Sequence, residues 1–166
     1  SLALQVRILF QNLETHIMGN HLFANAKALL FAGSFFDGNE AKIWWETGHK
    51  LIGQELAEQL LADGGNFELS TMYHMIFLED LLDLTNLHCA YGDSAPDEFE
   101  DSISSMYNWL AVMCHPDGEI SFFNDAALGI TPSVSEVREY GVRLLGSDKP
   151  ALSNDELGER CFVDLP

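Results

Sequence analysis

Three short runs hold most of the side chains in this sequence that are able to move a proton or grip a charged ligand. GNHLFANAKA at 19–28 sets Asn20, His21, Asn25 and Lys27 inside an otherwise apolar stretch. NFELSTMYH at 66–74 carries Asn66, Glu68, Tyr73 and His74. HPDGEISFFND at 115–125 carries His115, Asp117, Asn124 and Asp125. A His in the first turn of a helix sits where the dipole disfavours positive charge, which suits a neutral imidazole that donates a hydrogen bond. A Tyr at a helix N-terminus has its phenolate stabilised by the same dipole, which suits proton transfer. Glu68 with Asp125 is the kind of carboxylate pair a glycosidase uses.

Each residue also has a plainer reading. Asn20 reads as the N-cap of the helix that follows Gly19. His21 reads as structural, Asn25 as a satisfied core amide, and Lys27 as a chain snorkelling to solvent. Tyr73 reads as an amphipathic side chain at the edge of the core. His115, Asp117, Asn124 and Asp125 match no zinc or calcium spacing, and HPDG has the composition of a turn. Neither a metal nor a cofactor is expected. No phosphate-binding glycine pattern and no serine- or cysteine-nucleophile signature is present.

The elements that must position these residues have helical period. Apolar spacing predicts helices at about 2–17, 21–36, 40–61, 71–89, 97–114 and 134–145. Ser70 or Thr71 is the expected cap of the fourth. ISFF in the last long loop reads as a short strand, and CFVDL near residue 165 as the start of another. The chain is therefore all-α: three antiparallel αα-hairpins in succession, with residues 1–146 helical and 147–166 a linker. Up-and-down connectivity puts the first, third and fifth connections at one end. Asn20, His21, Asn66, Glu68, Tyr73, His74, His115, Asn124 and Asp125 would then ring a common cleft. Long solvated loops explain the same clustering without a site.

Composition narrows the field further. The 166 residues are enough for one domain with a real core. No apolar run is long enough to span a membrane. The opening SLALQVRILF lacks the layout of a signal peptide and begins mid-pattern, so export is not legible from it. Cys89, Cys114 and Cys161 form neither a disulfide framework nor a zinc motif. A formal charge of −18 excludes nucleic acid as a partner and argues against anionic membranes.

The runs GNHLFANAKALLFAG, DGGNFELSTMYHMIFLEDLLDL and HPDGEISFFNDAALGI together resemble the heparinase II/III-like polysaccharide lyases and their alginate-lyase relatives. The resemblance covers residues 2 to about 130, in order and at similar intervals. It implies part of an incomplete (α/α) toroid, with an antiparallel β-sandwich domain downstream that this chain lacks. It implies bacterial, periplasmic or secreted proteins that cleave acidic polysaccharides, glycosaminoglycans among them, by β-elimination at a uronate. Carried over by motif, Asn20 with His21 would hold the uronate carboxylate, and Tyr73 would transfer the proton. A second proton-transfer residue would come from the β domain. His74, Glu68, Asn66, His115 and Asn124 would shape or line the substrate cleft. Asn66 and Leu69 stand where the family often has His and Arg. With the overall charge, this predicts a sparsely charged substrate, or positive charge supplied by the β domain. A helical-toroid glycoside hydrolase using Glu68 and Asp125, and a non-catalytic carbohydrate-binding toroid, are the other readings.

Overall fold

The computed structural model describes residues 1–17, 19–91 and 94–146. The tail 147–166, which holds CFVDL and the expected linker, lies outside the described residues. Six helices form: α1 (Leu2–Gln11), α2 (Asn20–Phe35), α3 (Asn39–Gln59), α4 (Thr71–Tyr91), α5 (Asp97–Met113) and α6 (Val134–Leu145). Among the described residues there is no strand. ISFF contributes only an isolated bridge between Ile120 and Cys114, and a second bridge joins Leu60 to Asn66.

Local chemistry sets several boundaries. Helix α5 starts after Pro96 with Asp97, Glu98 and Glu100 in its first turn, where acids favour the dipole. Helix α6 opens on a complete capping box between Ser133 and Glu136. At α4, the Ser70 hydroxyl accepts from the Tyr73 N–H at 3.4 Å, so Ser70 is the cap. Two expectations need correcting. Asn20 is not the N-cap of α2. That position is Gly19, at φ 100°, and Asn20 is the first helical residue. Helix α1 also stops at Gln11 instead of running to residue 17. Asn12 leaves helical geometry, and the Glu14 N–H that a longer helix would use is taken by Asn25 Oδ1 at 3.0 Å.

The helices make two layers. Helix α4 packs on α2, α5 and α6, while α2 packs on α1 and α3 as well. Helices α2, α4 and α6 thus form one layer, with α1, α3 and α5 behind it. This explains the sequence character of α2 and α4, which are apolar on nearly every side. The main core joins Phe23, Leu30, Ile52, Met75, Leu78, Leu82, Ile103 and Met106. A smaller one under α1 joins Val6, Leu29, Ala32, Ala41 and Trp44. The turn after α3 is pressed onto α5. Gly64 has φ 87°, and a Cβ there would lie 2.2 Å from the Ser105 carbonyl oxygen, so only glycine fits.

Lys27 does not snorkel to solvent. Its Nζ donates to Asp80 and Asp83 of α4, each at 2.6 Å. Asp83 also accepts from the Tyr140 hydroxyl of α6, which in turn accepts from Asn86. One half-buried polar chain thereby ties the three helices of the layer. Burial works against the Lys27 charge, yet the two carboxylates push its pKa up. Burial pushes the Asp80 carboxyl up against the downward pull of Lys27. Burial and the bond to Asp83 push Tyr140 to about 12. Replacing Lys27 by Met leaves two carboxylates facing each other across the helix interface. Urea unfolding should show a loss of about 1–3 kcal/mol at neutral pH. The deficit should shrink as pH falls through the raised pKa of Asp80, because protonation removes the uncompensated charge.

Candidate functional site

The first, third and fifth connections meet at one end of the layer, and specific bonds join them. Gln59, at the end of α3, is 1% exposed, and its Nε2 donates to the Gly19 carbonyl at 3.0 Å and to Glu55 at 2.7 Å. The Glu68 carboxylate lies against Gly19 and faces the Asn20 N–H. Asn124 donates from Nδ2 to the carbonyls of Glu68 and Leu69, at 3.0 and 2.8 Å. Beneath them the hydroxyls of Thr71 and Ser121 bond at 2.8 Å in a buried contact. The three connections are thus joined by side chains of α3, of the third connection and of the fifth, the first connection contributing backbone groups.

Glu68 is the electrostatic centre of this end. Desolvation raises its pKa first, helped by the charge of Asp125, while the Asn20 N–H and His21 pull it down. Its Oε1 is closed off from solvent and has no hydrogen-bond partner of its own among the described residues. An anion at the N-terminus of α2 is where the helix dipole favours it. Glu68 therefore sets a negative charge at the head of α2, which has no side-chain cap bond, from a loop nearly fifty positions away. It also fixes Asn20 and His21 relative to the segment that leads into Tyr73.

The expected site residues separate into two groups. His21 is exposed, and Asn20 and Tyr73 are half-buried. Tyr73 lies in the first turn of α4, directly after the latched segment. Asn66 and His74 are 2% and 0% exposed and support the site from within. Asn66 Oδ1 accepts from the Glu68 N–H at 3.0 Å and shapes the loop. Asn124 is exposed, but its amide is committed to the latch. His115 is exposed and belongs to its own turn, where its N–H donates to Glu119 and its carbonyl accepts from Gly118. No group of three or more His, Cys, Asp or Glu able to hold a metal occurs among the described residues. No helix there is long and apolar enough to cross a membrane. Sequence reasoning missed Glu14, Gln59 and the Thr71–Ser121 contact. All are partners across the chain, and no local pattern marks them.

The sequence matches the family described as Heparinase II/III N-terminus over residues 3–144, and the chain belongs to that family. It is similar to a heparin-sulfate lyase of Bacteroides stercoris, 34% identical over 113 residues, covering 66% of this chain and 17% of that protein. A heparin-sulfate lyase of Pedobacter heparinus is 30% identical over 125 residues, covering 69% of this chain and 18% of that protein. The chain thus spans less than a fifth of the length of these curated relatives. Among solved structures, a heparinase III superposes with a TM-score of 0.74 at 22% identity, over 87% of this chain and 24% of that one. The heparinase III BT4657 gene product gives a TM-score of 0.73 at 24% identity, over 99% of this chain and 26% of that one. These likenesses show the fold.

His74 illustrates how the site is held from below. It stacks on Trp109 of α5 with ring centroids 4.4 Å apart, and its Nε2 bonds the Met106 carbonyl at 3.1 Å. Burial pushes its pKa from 6.5 to about 4. The folded state therefore holds it neutral, and the unfolded chain takes up the proton first. Stability from this group is constant above about pH 6.5 and falls as pH drops towards 4, by roughly 3 kcal/mol. In urea titrations across that window, His74→Gln should show a shallower acid slope than the parent.

Proposed function

We propose that this chain forms the helical part of a polysaccharide lyase that cleaves a uronate-containing acidic polysaccharide by β-elimination. The observation that carries the reading is the convergence of Asn20 and His21 with Glu68, in the loop that leads into Tyr73, at a single end of the layer. Its support from kinship is that the similar curated proteins are named heparin-sulfate lyases.

The chemistry follows from the acidity of the substrate. The C5 proton of a uronate is weakly acidic, because the carbanion it leaves sits beside a carboxylate. Donors that hold this carboxylate let the charge spread onto its oxygens, and their effect grows as the charge develops. Asn20 and His21 take this role, with the amide of Asn20 as a neutral donor. Tyr73 moves the proton. It takes the proton from C5 or returns one to the C4 oxygen as that bond breaks and the C4–C5 double bond forms. A second proton carrier comes from a β-sandwich domain reached through residues 147–166, and the helical part alone is inactive or nearly so. Asn66, His74, His115 and Asn124 shape or line the cleft, and Glu68 aligns α2 with the Tyr73 loop.

One observation favours a second reading. Burial raises the pKa of Glu68 and the charge of Asp125 adds to it, and a raised carboxyl beside a second carboxylate is what the general acid of a glycoside hydrolase needs. The products tell the two apart. Incubated with uronate polysaccharides, the full-length lyase should release oligosaccharides with the near-ultraviolet absorbance of an unsaturated uronate. Tyr73→Phe should lower turnover by about 100-fold or more. New reducing ends without the chromophore would establish the hydrolase, and saccharide binding without products would establish a binding module.

A further inference from the structure

We propose that Gln59 is a positioning residue for Asn20, fixing the peptide group from which α2 starts. Its bearing on turnover rests on the lyase reading above. Gln59 is the last residue of α3, lies outside every motif that suggested a site and is 1% exposed. Its Nε2 has two protons, and it donates to the Gly19 carbonyl at 3.0 Å and to the Glu55 carboxylate at 2.7 Å. A carbonyl and a carboxylate both accept, so the amide has one usable orientation. The Gly19 carbonyl belongs to the same planar peptide as the Asn20 N–H, which faces the Glu68 carboxylate. One peptide plane is thus held at both of its polar atoms by side chains from elsewhere in the chain, Gln59 at the oxygen and Glu68 at the N–H. The backbone carbonyl of Gln59 also accepts the Phe67 N–H at 2.8 Å, so the same residue sets the segment that carries Glu68.

Packing alone does not account for this amide. Its Oε1 is buried with no partner among the described residues, a cost that methionine or leucine in the same place would avoid. What Gln59 supplies that they cannot is a donor to Gly19. That donor is needed because Gly19 stands at φ 100°, where a glycine backbone turns freely. Without it the plane can rotate, changing ψ of Gly19 and φ of Asn20, and the Asn20 side chain moves with the backbone. A donor to developing charge acts only at hydrogen-bond distance, so a small displacement removes most of its effect.

In the full-length protein, Gln59→Met should lower kcat on a uronate polysaccharide by about 10- to 100-fold and change KM by less than about threefold. A double-variant cycle shows whether the loss acts through Asn20. On the Asn20→Ala background the group to be placed is gone, and Gln59→Met should there cost no more than about twofold. Glu55→Gln is the control: its new amide oxygen can still accept from Gln59, and turnover should match the parent. If Gln59→Met fails to fold because it strands the Glu55 charge, the same cycle is run on Glu55→Gln, where no charge is stranded. A kcat within about twofold of the parent, or an equal loss on both backgrounds, would overturn the proposal. Hydrogen exchange at the Asn20 amide gives a readout that does not need turnover. It should be about tenfold faster or more in Gln59→Met and unchanged in Glu55→Gln; exchange as slow as in the parent also overturns the proposal. If the parent makes no unsaturated product, or Asn20→Ala turns over like the parent, the lyase reading falls and the exchange rate alone decides whether Gln59 holds Asn20.

Discussion

Helix α4 cannot face water, and the architecture follows from that. No residue from Thr71 to Thr85 is exposed, and Met75, Leu78, Leu81, Leu82 and Leu84 are sealed completely. An element apolar on nearly every side must be surrounded, here by α2 and α6 beside it and α5 behind. Enclosing it in an up-and-down chain makes α2, α4 and α6 run in the same direction. Their N-termini then share one end, and each N-terminus presents unpaired amides and a partial positive charge. A chain of formal charge −18 thus acquires a locally favourable place for anions from its backbone. The Glu68 carboxylate already occupies one such place at α2.

Holding three loops against those N-termini requires backbone geometry that ordinary residues resist. Leu69 and Asn124 adopt left-handed conformations, with φ of 53° and 48°. Asn tolerates this region better than Leu, and the Leu costs of order 1 kcal/mol. The Asn124 amide bonds the carbonyl of that same Leu69, so the two unfavourable conformations hold each other in place. Strain that a packed surrounding maintains is characteristic of sites whose geometry matters more than their local stability. Nothing in NFELST announces it, since leucine gives no turn signal.

What could be read in the sequence divides along the same line. Periodicity located all six helices to within a few residues, except at the end of α1, because burial repeats every third or fourth residue whatever the partner is. Counting connections then placed the chemistry-bearing loops together, a deduction from topology that needed no contact. Pairings across the chain were not legible. Lys27 looked solvated because its partners lie more than fifty positions away, at Asp80 and Asp83. Asn20 looked like a cap because Asn commonly is one. Glycine stands at 19 because the backbone there takes φ 100° and the Glu68 carboxylate leaves only 3.1 Å to any Cβ. His74 and Asn66 carry the right atoms for a ligand, and only burial shows that they are turned into the fold.

Most of the described cations are paired with acids, which bears on how a lyase would use this end. Arg7 is paired with Glu40, Lys27 with Asp80 and Asp83, and Arg143 lies 3.9 Å from Glu139. A fixed lysine or arginine would bind a uronate carboxylate strongly before any reaction. Binding that is equally strong in the ground state and the transition state does not raise kcat. An amide such as Asn20 and a helix terminus pull weakly on a carboxylate that shares one charge between two oxygens. They pull harder when a second charge flows in from C5. Neutral donors at the head of α2 thus place more of their effect in the transition state, where it accelerates the step. The acidic surface and the catalytic proposal are compatible on this ground: long-range repulsion is screened beyond about 8 Å at physiological salt, and the interactions that matter for elimination are short-range and largely uncharged.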